Sequence, residues 1–369
     1  MPRLLKLTLT LFRNYRHLTW QPENALTVLT GENGSGKTNL LESLSLFAPG
    51  RGLRRASLSQ LGHNETSGWG VAARFQLNDE IIDLGTAISE TGRGQRRNFL
   101  LNGKPFPKKE GVEDLLSVIW ITPQMDRLFS ENASGRRRFF DRLVMTVLPG
   151  HARELAAYER AMTQRNKLLL TRPTETSWLS GLESTMARHG VAISAARNEI
   201  AYYLSSFAQT HKSAFPASHV TFDCDLSEQI QKKPALTVED WFKEKLNLSR
   251  SEDRQRGRTS IGPHRSDFML SDWKTGLPAH TASTGQQKAM LLGLTLAQTA
   301  LVREYRKASP LLLLDEPLVH LDRYKREALL EYLPSLQTTI LLTGTDSAPF
   351  EKISDMARFI TLKNGSFQV

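Results

Sequence analysis

Leu5, Leu7, Leu9 and Leu11 alternate with Lys6, Thr8 and Thr10, the period of a strand with one buried face. The chain then turns at Phe12-Arg13-Asn14-Tyr15. The apolar run Leu26–Thr30 reads as a short buried strand, and residues 39–47 as a helix with Leu40, Leu41, Leu44 and Phe47 on one face. Alternation returns at Gly70–Leu77 and at residues 81–88. Asn102-Gly103, after Asn98-Phe99-Leu100-Leu101, signals a hairpin turn. The pattern predicts an antiparallel sheet in this part of the chain.

From about residue 133 the period changes to that of helices. Residues 136–148 form one, ended by Pro149-Gly150, and residues 153–170 form another. After Thr171-Arg172-Pro173-Thr174 the apolar positions Trp178, Leu182, Met186, Ile193, Ile200, Tyr203 and Phe207 recur mostly at threes, fours and sevens. That spacing predicts a helix on the order of 30 residues, packed as an antiparallel hairpin with the one before it. Residues 248–258, with Arg250, Arg254, Arg256 and Arg258, read as a mobile basic loop. The end of the chain reads as strand (339–343), helix (350–357) and strand (Arg358–Lys363).

Chemistry enters where the Leu26–Thr30 strand meets the helix after it. Gly31-Glu32-Asn33-Gly34-Ser35-Gly36-Lys37-Thr38 fits a phosphate-binding loop at every fixed position. Glycines let backbone N–H groups turn inward, Lys37 offers its charge to the β/γ-phosphates, and the Thr38 hydroxyl suits Mg²⁺. The dipole of the helix that follows favours the same anion. Far downstream, Pro310 and four leucines lead into Asp315 and Glu316, a buried strand delivering two acids to a sheet edge. Asp315 is the metal carboxylate of this pattern and Glu316 the general base for an attacking water.

Ser283-Thr284-Gly285-Gln286-Gln287-Lys288 opens the helical run 289–307 and resembles the signature of ABC-type ATPases. Ser283, the Gly285 N–H and the helix dipole can grip a γ-phosphate there. Taken alone, the same residues also spell a helix cap, with Ser283 capping and Gln286 closing a capping box. In ABC folds the signature faces the loop of a second subunit, which predicts a homodimer completed by ATP. Leu321-Asp322 matches the loop lining that interface. Gln124, in Trp120-Ile121-Thr122-Pro123-Gln124, is the candidate sensor of Mg²⁺ and γ-phosphate.

The 369 residues carry 48 Lys+Arg against 38 Asp+Glu, a formal net charge of +10. That balance favours polyanionic partners, nucleic acid first and anionic membrane second. Arg51, Arg54 and Arg55, and Arg136 to Arg138, are candidate phosphate contacts. A single cysteine, Cys224, excludes an internal disulfide framework and fits a reducing cytoplasm. No run of roughly 18 apolar residues occurs, which excludes an integral membrane transporter. A transporter's ATPase subunit is disfavoured by the helical arm.

Phe12-Arg13-Asn14-Tyr15, the phosphate loop through Ser43, Thr122-Pro123-Gln124 and Arg137-Arg138-Phe139-Phe140-Asp141 stand in the order found in the RecF family. Ile261-Gly262-Pro263-His264-Arg265-Ser266-Asp267, the 283–288 signature and the acidic strand with its Leu321-Asp322 complete that order. RecF proteins are bacterial repair proteins related to the SMC branch of ABC-type ATPases, and the chain resembles them along nearly its whole length. The resemblance implies an α/β fold: an ABC-type P-loop head, a mixed sheet with a flanking antiparallel sheet, plus an inserted helical arm. The head would comprise residues 1–122 and 258–369, and the lobe 123–257. It also implies that Arg13, Asn14, Glu32, Asn33, Gly34, Ser35 and Asn39 join the loop glycines, Ser283, Gly285 and Gln286 around ATP.

Functionally, the resemblance implies a weak ATPase that dimerises on ATP and binds single- and double-stranded DNA at gaps, junctions and stalled forks. It would act with RecR and RecO to load the recombinase during recombinational repair and replication restart, and in the SOS response. A second reading is an adaptor that recruits those partners on ATP binding, without meaningful turnover. One position departs from the ABC pattern. Gly344-Thr345-Asp346 stands where a switch histidine is expected, leaving Thr343 or Thr345 as its substitute, or Glu316 unaided, and hydrolysis slow.

Overall fold

The computed structural model describes residues 2–65, 68–77, 80–91, 94–106, 111–210, 214–363 and 365–368. In chain order the elements begin with β1 (Arg3–Phe12), β2 (Tyr15–Trp20), β3 (Leu26–Thr30), α1 (Lys37–Ser45), β4 (Gly70–Leu77) and β5 (Glu80–Thr91). Next come β6 (Gly94–Leu101), β7 (Lys104–Pro105), α2 (Val112–Leu115), β8 (Val118–Ile121), α3 (Ala133–Val147), α4 (His151–Thr171) and α5 (Thr176–Thr210). Then follow β9 (Ser218–Asp223), α6 (Asp225–Lys232), α7 (Ala235–Leu248), α8 (Arg250–Arg256), β10 (Asp267–Asp272) and α9 (Thr284–Arg306). The chain closes with β11 (Leu311–Leu314), α10 (Arg323–Tyr332), β12 (Ile340–Thr343), β13 (Arg358–Lys363) and β14 (Ser366–Gln368).

Two compact units result. The first joins Met1–Asp126, Ser213–Phe215 and Ser283–Val369; the second joins Arg127–Lys212 and Pro216–Ala282. Residues 258–282 thus pack in the second unit, because β10 pairs antiparallel with β9 along Asp267–Asp272.

The first unit holds two six-stranded sheets. One runs β14-β13-β3-β12-β11-β8, parallel throughout except for β14 at its edge. Its central strands are apolar on both faces, as β11 and β12 show, which is what a parallel sheet covered on both sides demands. The other is the antiparallel meander β2-β1-β4-β5-β6-β7, and the Asn102-Gly103 turn does link β6 to β7. Leu40, Leu41 and Leu44 of α1 join one core with residues of both sheets. The alternation in β1 holds only in its middle. A register shift between Leu4 and Lys6, and a left-handed Leu11 (φ 49°), turn Leu4 and Phe12 inward with Leu7 and Leu9, while Leu5 and Leu11 are half-buried.

In the second unit α4 packs along α5 after the turn at residues 172–175. The buried stripe of α5 runs through Leu179, Leu182, Met186, Ile193, Ile200 and Leu204. Trp178 (53% exposed) and Tyr203 (39%) lie off it, each one residue from the heptad positions that face the core. The supposed basic loop at 248–258 is instead helical over α8, ended by left-handed Gly257. Its register puts Arg250 against Glu183, and Arg256 against Glu252. Buried Arg165 completes this cluster, with Nη1 at 2.7 Å from Asp253 Oδ2 and Nε at 3.0 Å from Glu183 Oε1. Near the C-terminus the expected helix at 350–357 is a shorter 3-10 turn, Ala348–Ile353, with Pro349 in its first turn.

Candidate nucleotide site

The loop between β3 and α1 is held open by backbone geometry that only glycine accepts. Gly31 has φ 137°, and a Cβ there would sit 2.2 Å from the Leu362 carbonyl oxygen of β13. Gly36 has φ 111°, with the Tyr15 hydroxyl where a Cβ would be. That hydroxyl donates to the Gly36 carbonyl at 3.0 Å, and burial pushes the Tyr15 pKa up. Asn14 Nδ2 reaches the Ser35 carbonyl at 3.4 Å, and Asn39 Nδ2 donates to Asn14 Oδ1 at 2.8 Å. The Phe12–Tyr15 turn is therefore a brace under the loop.

Lys37 is buried, and its ammonium donates to the carbonyls of Gly31 (2.5 Å) and Glu32 (2.9 Å). Burial lowers its pKa, against the opposing pull of the Glu316, Asp315 and Asp346 carboxylates. Ser35 Oγ is buried without a hydrogen-bond partner among the described residues, a polar atom free to meet an acceptor or donor. Glu32, Asn33 and Gly34 are exposed at the loop's rim.

Both acids arrive at the end of β11. Because β12 lies between β3 and β11, the C-terminal ends of three parallel strands converge. Thr38 Oγ1 donates to Asp315 Oδ1 at 2.9 Å, and Thr343 Oγ1 to the same oxygen at 2.8 Å. The Glu316 N–H donates to Thr343 Oγ1 at 2.9 Å, and Glu316 sits at φ 48°, rare for a side-chain-bearing residue. Gln124 is exposed, in the turn just beyond β8, whose Ile121 pairs with Leu314.

Arg13 also holds a carboxylate of α1. Its Nε and Nη2 form a fork on Glu42 at 2.8 and 2.7 Å, and Nη1 donates to the Gln60 carbonyl at 2.7 Å. Glu42 is fully buried on α1, and Arg54 also approaches it at 3.5 Å. Glu42 shares its helix face with Thr38, Asn39 and Ser45, so the sequence carried no signal for this pair.

The signature residues form the capping box itself. Gln286 Oε1 accepts from the Ser283 N–H at 2.9 Å, and the Gln286 N–H points to Ser283 Oγ at 3.4 Å. Gly285 is needed for close approach, since a Cβ would lie 2.9 Å from the His320 carbonyl oxygen. Asp322 caps α10 through the Lys325 N–H at 2.8 Å. Lys288, wholly buried, pairs with Asp126 at 3.0 Å, a partner that no spacing rule foretold.

These loops, strands and helix starts are those of an ABC-type head. A model of the RecF/RecN/SMC N-terminal domain matches residues 3–367. DNA replication and repair protein RecF of Mesorhizobium japonicum is 40% identical over 365 residues, spanning 98% of this chain and 96% of that protein. The chain belongs to the RecF family. A second RecF relative, from Rhizobium rhizogenes, is 38% identical over 363 residues, spanning 98% of this chain and 96% of that protein. Among solved structures, the recombination mediator RecF-ATP of the RecFOR pathway aligns with TM-score 0.82 at 20% identity, covering 100% of this chain and 99% of that one. An Smc head from Pyrococcus furiosus aligns with TM-score 0.53 at 15% identity, covering 100% and 96%. Both share the fold, an SMC-type ATPase head.

Within this RecF-family chain several candidate phosphate contacts already have partners. Arg136 forks onto Asp267 (2.8 and 2.7 Å), Arg137 donates to the Ser266 carbonyl (2.6 Å), and Arg138 to Ser134 (3.1 Å). Arg54 donates to Asn39, while Arg51 is exposed. The Gly262–Arg265 turn is a packing device in the second unit. His264 Nε2 meets the Thr259 carbonyl at 3.1 Å and Nδ1 the Tyr158 hydroxyl at 2.8 Å. The first contact needs a proton on Nε2, so Nδ1 accepts from the tyrosine. Burial lowers the His264 pKa to about 4.

Proposed function

We propose that this chain binds ATP with Mg²⁺, hydrolyses it slowly, and uses the nucleotide to pair two copies of itself on DNA during replication-linked recombinational repair. The observation that carries the reading is the convergence of the Thr38 and Thr343 hydroxyls on Asp315 Oδ1. A hydroxyl beside a single carboxylate suits Mg²⁺, which takes few protein ligands and keeps waters and phosphate oxygens. Among the described residues no larger cluster of His, Cys, Asp or Glu competes for a metal. Thr38 and Asp315 would hold the ion, with Gln124 as its third neighbour; when bound, it would neutralise charge on the phosphates. The unpartnered Ser35 hydroxyl and the Lys37 ammonium supply what the phosphates need.

Lys37 would exchange the loop carbonyls for phosphate oxygens, and Glu316 would take the proton of the attacking water. Gly31, Glu32, Asn33, Gly34, Gly36 and Asn39 line or brace the cradle. Ser283, Gly285 and Gln286 would meet the γ-phosphate of a second copy. The name carried by the relatives, DNA replication and repair protein, supports DNA as the substrate; gapped or junction DNA, RecR- and RecO-type partners and a role in the SOS response are the finer part of this proposal. No helix of the described residues is long and apolar enough to cross a membrane, which accords with a cytoplasmic protein working without one.

The test is Glu316→Gln with ATP. The variant should accumulate as a dimer and hold duplex DNA more tightly than nucleotide-free protein, with affinity falling as salt rises. A variant that stays monomeric and binds no better sinks the reading. An adaptor without turnover is favoured by one observation: Thr345, in the switch position, donates to Asp346 at 3.0 Å and not outward. Phosphate release separates the two readings. DNA-stimulated release that vanishes in Lys37→Ala supports the ATPase, and no release supports the adaptor.

A further inference from the structure

We infer that Thr343 is a positioning residue that sets both carboxylates of the site, an inference that rests on the ATP-hydrolysing reading above. Its hydrogen bonding allows one arrangement. The Glu316 N–H donates into Thr343 Oγ1 at 2.9 Å, so the hydroxyl's single proton goes to Asp315 Oδ1 at 2.8 Å. The side chain is wholly buried and its proton is committed inward. Thr343 therefore does not donate to a γ-phosphate, and it is not the substitute for a switch histidine.

What it does is mechanical. Thr38 and Thr343 address the same oxygen of Asp315, which fixes the carboxylate from two sides and leaves Oδ2 without a hydroxyl partner among the described residues. The bond to the Glu316 N–H anchors the backbone of the base at φ 48°, a conformation that L-residues rarely adopt unless something holds it. Without that anchor the peptide can relax, and the Glu316 carboxylate swings with it. Thr343 ends β12, the strand between the phosphate-loop strand and the acid strand, so its hydroxyl ties β12 to the end of β11, and Asp315 carries the tie on to Thr38.

Thr343→Val keeps the branched shape and removes both bonds; Thr343→Ser restores the hydroxyl. The Val variant should lose roughly 10- to 100-fold in kcat for ATP, the scale expected from a misplaced catalytic group. Its KM for Mg²⁺-ATP should rise only by the size of the lost Mg²⁺ gain, because phosphate binding itself rests on the loop and Lys37. Binding of a fluorescent ATP analogue, with and without Mg²⁺, gives a readout independent of turnover. Wild type should gain affinity on adding Mg²⁺, the Val variant should lose that gain while keeping Mg²⁺-free binding, and Ser should recover it. A Val variant with wild-type kcat and an intact Mg²⁺ gain overturns the inference. So does one whose Mg²⁺-free binding collapses with its turnover, or a Ser variant that rescues nothing. If Val does not fold, Thr343→Ala is compared with Ser on the same readouts. Wild-type protein that neither hydrolyses ATP nor gains affinity with Mg²⁺ removes the underlying reading instead.

Discussion

Lys288 Nζ lies 3.0 Å from Asp126 Oδ1, a buried ion pair that ties the last residue of the signature run to the segment just after Gln124. Asp126 has its pKa raised by burial, against the pull of Lys288, and His320 of the neighbouring loop adds to that pull. Removing one partner leaves a buried charge alone. Lys288→Met should destabilise the protein by about 3–5 kcal/mol, and the double variant Lys288→Met, Asp126→Leu should recover much of that loss. Denaturant unfolding of the four members of the cycle measures it. Additive losses, with the double variant worse than either single variant, would show that the pair does not couple the two segments.

Arg13 and Glu42 make a second closed pair, and it separates brace from ligand. If Arg13 supports the phosphate loop only through Glu42, Arg13→Ala and Glu42→Ala should weaken nucleotide binding alike, and the double variant should be no worse than either. An additive loss in the double variant would mean that Arg13 touches nucleotide directly. Titration with a labelled ATP analogue decides between the outcomes.

Gly31→Ala tests the cradle's backbone. The added methyl meets the Leu362 carbonyl at 2.2 Å, on a residue at φ 137°. Both strain and collision act, so a stability loss above about 1 kcal/mol is expected, together with loss of nucleotide binding. Gly50→Ala is the control: its φ is also positive, but nothing lies within 4 Å of the added methyl. It should lower the melting temperature less and leave nucleotide affinity unchanged.

His264 predicts a pH dependence in the second unit. Its folded pKa is about 4, below the ordinary value of 6.5, because burial disfavours the imidazolium. Between those values the unfolded chain binds the extra proton, so stability falls as pH drops from 6.5 toward 4. The full effect is on the order of 3 kcal/mol. His264→Gln should flatten that part of the stability profile, measured as melting temperature against pH. A variant with the same acid slope as wild type would assign the loss to other groups.

Local features were legible before any coordinates. The Gly31–Thr38 pattern, the Leu311–Leu314 run into two acids and the Asn102-Gly103 turn each depend on neighbours a few residues away, and each forms as expected. The stripe of α5 was misread by one position at its ends, because large aromatic residues at Trp178 and Tyr203 mimic core residues while the seven-residue repeat selects Leu179 and Leu204. Residues 248–258 looked like a loop since the stretch is polar and rich in arginine, with no apolar stripe to mark a helix. Arg250 finds its partner Glu183 a long way back along the chain.

The amino-acid order alone determined which groups could hold phosphate and metal: glycines able to adopt positive φ, one lysine, a hydroxyl and two acids at a strand end. It also determined the period of each helix and strand, because burying one face requires it. Only the tertiary structure decided which polar side chains were already taken. It gave Arg13 to Glu42, Arg136 to Asp267, Lys288 to Asp126 and Thr343 to Asp315. The physical reason is that a buried polar atom must find a partner in space. Thr38 and Asp315, 277 positions apart along the chain, meet only because the sheet sets β11 one strand away from β3, which leads into α1 and Thr38.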